Sequence, residues 1–328
     1  MTYFSIFGKV PIARAYYWQA GAGGGFSPLE ALLNVPERCY SYLLQEWAGL
    51  LAVRGAYDHV TETLEKLLQV TVGKRPIETS LRETGGAGDA FYHPQPAPVP
   101  ATEGPILVAA VDGKGVPMRK GTAGPRPHRR KKGEKSQQKR QATVVALYTI
   151  DRHPRTVEDV VREVQASGAG SPPSPEPDRA AARPQPQNKQ VRATLEGKDA
   201  AFEELRRQVR ERDPRGEKDH VALTDGDRAL HRKVRHYLKG FCLILDLWHV
   251  LEYLWKAAPV FHREGSPEAE AWVHHRLRWL LQGRIGAVIG GLRQSLTKRA
   301  WSPARRRTLE QVIGYFHQNR RAMRYDLY

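Results

Sequence analysis

Cysteine is scarce in this sequence: among 328 residues only Cys39 and Cys242 occur. Two thiols exclude a disulfide framework and a cysteine zinc cage. No apolar run approaches the roughly 18 residues that a membrane span requires. The N-terminal MTYFSIFGKV lacks the charged-then-apolar layout of a signal peptide, which predicts a cytoplasmic protein with no membrane partner. Acidic residues are also short, with 35 Asp and Glu against 52 Lys and Arg, a net charge of +17. A soluble protein of that charge has a polyanion as its natural partner. The apolar share of 40 % is enough for a packed core and excludes wholesale disorder. The length suggests two domains.

The charge is concentrated. Residues 119–140 (RKGTAGPRPHRRKKGEKSQQKR) carry ten Lys and Arg against Glu134 alone, a net of +9. Residues 298–328 carry eight against Glu310 and Asp326, a net of +6, so two stretches hold 15 of the 17 surplus charges. An isolated basic run is usually a solvated loop. Two clusters flanking one domain favour phosphate contact, since each neutralised phosphate releases counterions. The candidate DNA contacts are Arg126, Arg129, Arg130, Lys131, Lys132, Lys135, Lys139 and Arg140 in the first stretch. Lys298, Arg299, Arg305, Arg306 and Arg307 are those of the second.

Residues 1–26 read as an N-terminal hairpin remnant broken by the glycines of 21–25. Ser27-Pro28-Leu29-Glu30 has the form of a capping box and predicts a helix start. Segments 36–52, 56–69 and about 75–83 carry helical apolar spacing, so 27–90 reads as a helical domain. Its last two helices, joined at Val72-Gly73, fit either a helix-turn-helix that binds DNA or a plain bundle. Five prolines in 93–105 make 91–105 a linker. Beyond it, strands are expected at 106–111, 142–150, 220–224 and 241–245. Helices are expected at 198–212 and 227–237 and from Leu247 onward, with 267–326 helical throughout. Residues 166–190, rich in Pro, Ala, Ser and Gly, read as a disordered insertion. Strands alternating with helices predict an α/β mixed-sheet domain over 106–328.

Three strands end on aspartate: LVAAV before Asp112-Gly113, VALT before Asp225-Gly226, and CLIL before Asp246. Ligands gather at the carboxyl ends of strands in α/β sheets. Carboxylates brought together there repel, and Mg²⁺ or Mn²⁺ is the compensation that suits oxygen ligands. Paired divalent ions would serve phosphoryl transfer. Each aspartate also has a structural reading. Asp112-Gly113 fits a hairpin turn, Asp225-Gly226 a turn or helix cap, and Asp246 a cap for the helix at Leu247. The threefold recurrence favours catalysis for Asp112 and Asp225 and leaves Asp246 divided. Trp248 and Trp255, seven apart, read as core.

The set VDGKGVPM (111–118), LTDGDRAL (223–230), DLWHVLEYLWKA (246–257) and YFHQNRRAMRYD (315–326) resembles the ISKra-type DDE transposases of insertion sequences, distantly akin to Mutator-type enzymes. FGKVPIARAYY (7–17) and SPLEALL (27–33) are similar to that family's N-terminal segment. The resemblance implies an RNase H-like fold and Mg²⁺- or Mn²⁺-dependent cleavage and transfer of double-stranded DNA at element ends and target. It also implies assembly of copies on DNA and a nucleoid location. By position Asp112 and Asp225 match the first two catalytic acids, and Asp246 with His249 an Asp-x-x-His element beside the site; His249 reads equally as a structural histidine. The family's third acid, a glutamate in Gly-Ser-Gly-x-x-Glu beyond the Met-Arg-Tyr-Asp helix, has no counterpart by Tyr328. Glu252 and Glu310 lie outside that motif. YYWQAGAGGG also lacks the Cys-x-x-Cys pair of relatives, so zinc is not expected. The expectation is an incomplete transposase with sequence missing at both ends and weak or absent strand transfer. The other readings are a DNA-binding repressor without chemistry and, less well supported, a different phosphoryl-transfer enzyme such as a phosphatase.

Overall fold

The computed structural model describes residues 1–18, 21, 24–36, 39–92, 96–118, 139–168 and 183–328. The chain divides into two compact units, Met1–Pro96 and Ala97–Tyr328.

The first unit opens with an antiparallel hairpin of β1 (Thr2–Ser5) and β2 (Gly8–Pro11), then a short pair, β3 (Tyr17–Trp18) and β4 (Gly25–Phe26). Helices α1 (Pro28–Leu32), α2 (Tyr42–Arg54), α3 (Tyr57–Leu68), α4 (Lys74–Gly86) and α5 (Gly88–Tyr92) follow. The capping box does not form at α1. Ser27 makes no side-chain cap bond, and Glu30 instead pairs with Arg14. Ser41 caps α2 by accepting from the Leu44 amide at 3.1 Å. The core is small: Leu44, Ala48, Val60, Leu64, Val70, Val72 and Ile77, with Phe4 and Ile6 of the hairpin packed against it. The hairpin is therefore part of the helical unit.

The second unit is a mixed α/β fold. Its strands are β5 (Ile106–Pro117), β6 (Lys139–Ile150), β7 (Gln187–Thr194), β8 (Asp219–Thr224) and β9 (Cys242–Leu245). Its helices are α6 (Val157–Gly168), α7 (Lys198–Arg212), α8 (Arg228–Tyr237), α9 (Leu247–Phe261), α10 (Pro267–Leu281), α11 (Ile285–Lys298) and α12 (Pro303–Asn319). The sheet order is β7-β6-β5-β8-β9, with β6 antiparallel to β5 and β7, and β5, β8 and β9 mutually parallel. Alternating residues Leu107, Ala109, Val111, Val145, Leu147 and Ala222 bury one face under Phe202, Leu205 and Val209 of α7 and Leu230 and Val234 of α8. A second core gathers α9 to α12 with Leu245 and Val161. On the other face of β5 and β6, Ala110, Ala146 and Tyr148 are only half-buried, leaving that face partly open.

Two sequence expectations change here. The insertion expected at 166–190 is ordered at both ends, since Ala166–Gly168 closes α6 and Gln187–Gln190 opens β7; the part between, 169–182, lies outside the described residues. β7 is an edge strand whose ladder bonds to β6 hold it, so it needs no apolar alternation; even Val191 is 44 % exposed. β5 and β6 also run longer than their apolar cores, forming a ribbon that continues from Asp112–Val144 to Pro117–Lys139. Among the described residues no helix is long and apolar enough to cross a membrane.

Candidate active site at the carboxyl edge of the sheet

The register brings the three strand-end aspartates to one edge. Val111 pairs with Thr224, and Thr224 with Leu245, so Asp112, Asp225 and Asp246 each lie one residue beyond a matched row on adjacent parallel strands. The Asp246 amide donates to the Thr224 carbonyl at 2.9 Å, which fixes the ends of β8 and β9 together. Val111 faces α7 and α8, so Asp112 faces the half-open side.

Each aspartate has a distinct local setting. Asp112 sits within β5 opposite Val144, not in a hairpin turn, and is exposed; its Oδ1 accepts from the Gly113 amide at 2.6 Å. Asp225 leaves β8 in a turn made by Gly226 at φ +92°, and its Oδ1 accepts from the Asp227 amide at 2.9 Å. Asp227, rather than Asp225, caps α8, accepting from the Ala229 amide at 2.7 Å. Burial pushes the Asp227 carboxyl up, but the Lys198 ammonium and the Ala229 amide outweigh it and hold the group below the usual carboxylate range. Asp246 is the cap of α9, accepting from the Trp248 amide at 3.0 Å. His249 Nδ1 is 3.4 Å from Asp246 Oδ2 but makes no hydrogen bond. Neither Asp112 nor Asp225 has a cationic partner among the described residues.

Carboxylate oxygens are the donors that Mg²⁺ and Mn²⁺ prefer, so Asp112 and Asp225 fit a divalent cation in chemistry. Among the described residues, however, no group of three His, Cys, Asp or Glu side chains is gathered to hold one. Glu310 pairs with Arg306, and Glu252 projects from the exposed side of α9.

The basic candidates divide three ways. Arg126, Arg129, Arg130, Lys131, Lys132 and Lys135 lie outside the described residues. Lys139 and Arg140 are exposed on the ribbon that extends past Asp112, with Arg140 donating to the Leu195 carbonyl at 3.0 Å. Lys298 and Arg299 end the α11 region, and Arg305, Arg306 and Arg307 are exposed in the first turns of α12. Ten residues separate Arg305 from Tyr315, about 15 Å along the helix, so this cluster stands apart from the aspartates.

Trp248 and Trp255 are not core residues: they are 54 % and 42 % exposed. α9 buries Val250, Leu251, Leu254, Ala257 and Ala258, which turns the two indoles outward on either side of Glu252. Heptad spacing placed them on one face but could not say which face was buried.

Other residues at the edge were not among the candidate site residues of the sequence. Tyr315 of α12 donates to the Asp225 carbonyl at 2.9 Å and stacks on Tyr253 at 3.6 Å between centroids. Tyr325 donates to the Leu245 carbonyl at 2.7 Å. Burial, and then the charges around it, push the Tyr315 phenol well above its ordinary range, so it stays a donor. A Cβ on Gly226 would lie 2.9 Å from Asn319 Nδ2 and 3.0 Å from the Tyr315 ring. The C-terminal motif thus acts as a clamp on the strand ends. Beneath them, His231 Nε2 is 2.8 Å from Thr224 Oγ1, with a pKa lowered by burial and then by Arg235. The segment YFHQNRRAMRYD (315–326), which holds Tyr315, Asn319 and Tyr325, stood out in the sequence, but nothing in it gave these residues a place at the strand ends. No protein-family model matches the chain, and no curated protein sequence matches it either.

Proposed function

We propose that the Ala97–Tyr328 unit is an RNase H-like polynucleotidyl-transferase domain of the DDE-transposase type, acting on double-stranded DNA. The observation that carries the reading is the register: Asp112 and Asp225 follow the matched pair Val111–Thr224 on adjacent parallel strands, without a cationic partner among the described residues. The mixed sheet supports it, since β5, β8 and β9 run parallel side by side and bring their carboxyl ends, with Asp112 and Asp225, to one edge.

Asp112 and Asp225 would hold Mg²⁺ or Mn²⁺, which when bound would polarise a phosphodiester and activate the attacking oxygen. Asp225 is kept in place by the Asp227 amide and by Tyr315 on its carbonyl. Lys114, Lys139 and Arg140, exposed on the projecting ribbon, would take DNA phosphates next to the acids. DNA binding of this kind makes the protein nucleoid-associated. The absence of a third gathered acid among the described residues favours a second reading, a DNA-binding protein that does not cut.

Calorimetric titration with Mn²⁺ tests the site. The wild-type chain should bind saturably, and Asp112→Asn or Asp225→Asn should abolish binding with thermal stability unchanged in metal-free buffer. Asn at 225 keeps the oxygen that accepts from Asp227. Unchanged affinity in both variants would overturn the assignment. Incubation with supercoiled DNA then separates the readings: Mn²⁺-dependent nicking lost in Asp112→Asn supports the transferase, and DNA binding with no nicking supports the binder.

A further inference from the structure

Among the described residues, nothing in the Met1–Pro96 unit covers one apolar face of α2. α2 is apolar nearly all round. Leu44 and Ala48 enter the core, whereas Leu43, Trp47, Leu50 and Val53 are 42 %, 38 %, 56 % and 84 % exposed. At about 100° per residue, Leu43, Trp47 and Leu50 form one stripe, with Val53 at its margin. A surface helix normally shows polar residues on this side, and an exposed apolar patch rimmed by charge marks an interaction site.

The charges on the rim indicate what covers it. Glu46 lies at one edge of the stripe and Arg54 continues it one turn beyond Leu50; both are exposed, and neither has an ion-pair partner among the described residues. They stand four residues before and four after Leu50. A two-fold axis at Leu50, with two copies of α2 antiparallel, sets each Glu46 level with the Arg54 of the second copy, and does so twice by symmetry. A parallel pair would instead set Glu46 against Glu46 and Arg54 against Arg54. Nucleic acid is a poor occupant, since Arg54 is the only cation on the helix.

We propose that the outer face of α2 is a self-association surface, on which a second copy of this chain docks antiparallel through Leu43, Trp47 and Leu50 with two Glu46–Arg54 pairs. The proposal does not depend on the transferase reading of the Ala97–Tyr328 unit.

Sedimentation of the full chain across a concentration series tests it, with circular dichroism confirming that each exposed-site variant is folded. The wild type should dimerise, and Leu50→Glu should be monomeric. Glu46→Arg and Arg54→Glu should each weaken dimerisation about tenfold or more, because like charges then face each other. Mixed in equal amounts, those two variants should recover wild-type association, since the heterodimer restores both opposite-charge pairs. The proposal is overturned if the wild type stays monomeric throughout, which would assign the stripe to another occupant. It is equally overturned if the single reversals leave dimerisation unchanged, or if the mixture is no more dimeric than its components.

Discussion

Gly226→Ala is the most direct probe of how the acid-bearing edge is held. Two costs are separable at this position. The backbone is at φ +92°, in the left-handed half of the map, where an L side chain costs roughly 1–2 kcal/mol. The new Cβ would also meet Asn319 Nδ2 at 2.9 Å and the Tyr315 Cε2 and Oη atoms at 3.0 Å. Overpacking a fixed site costs roughly 1–3 kcal/mol more. Gly240 supplies the control. It has φ +89° and nothing within 4 Å of a Cβ, so Gly240→Ala pays the backbone cost alone. In urea melts of the Ala97–Tyr328 transition, Gly226→Ala should lose about 2–5 kcal/mol and Gly240→Ala about 1–2 kcal/mol. At roughly 2–4 °C per kcal/mol for a unit of this size, the melting temperatures should differ by several degrees. The m-value should not change, since both variants reach the same unfolded state. If the two variants are equally stable, α12 does not clamp the Asp225 turn, and the role given to Tyr315 and Asn319 fails.

Two further perturbations test other parts of the unit. Arg212 and Glu103, both 2 % exposed as side chains, form an ion pair, and Arg212 also donates to the Leu147 and Asn188 carbonyls at 3.2 and 3.0 Å. Arg212→Met leaves Glu103 buried without its cation and should cost about 3–5 kcal/mol, whereas adding Glu103→Gln should recover part of that loss; equal costs in a urea double-mutant cycle would refute the coupling. The second concerns pH. Burial lowers the pKa of His231, as it does that of His274, where the Glu270 charge opposes it. The unfolded chain therefore binds protons more readily, so stability is full above the unfolded pKa of about 6.5 and falls as pH drops below it. Melting temperatures should decline from neutral pH toward pH 5, and His231→Gln with His274→Gln should flatten the decline; a wild-type profile already flat there would refute it.

The strands that carry the acids were legible because their residues are almost all apolar. Ile106–Val111 and Val221–Leu223 are continuous apolar runs with one face packed under helices and the other half-buried, and Asp112, Asp225 and Asp246 stand out as the first charges after such runs. β7 was not legible, because an edge strand such as QNKQVRAT is held by backbone bonds that leave no trace in its side chains. α6 was missed for a related reason: its apolar residues, Val157, Val160, Val161 and Val164, are β-branched and read as neither clear helix nor strand until α10 covers them. The caps show where spacing alone runs out. Asp225 and Asp227 are two residues apart in LTDGDRAL, and either fits the start of a helix. The helix takes Asp227, whose carboxylate already receives Lys198 and the Ala229 amide. Asp225 is left outside the helix at the same edge as Asp112, and among the described residues its carboxylate accepts only from the Asp227 amide. The carboxylate that the fold does not need as a cap is the one proposed above to hold a cation, and that proposal divides the work between two neighbouring carboxylates, Asp227 for the scaffold and Asp225 for the site.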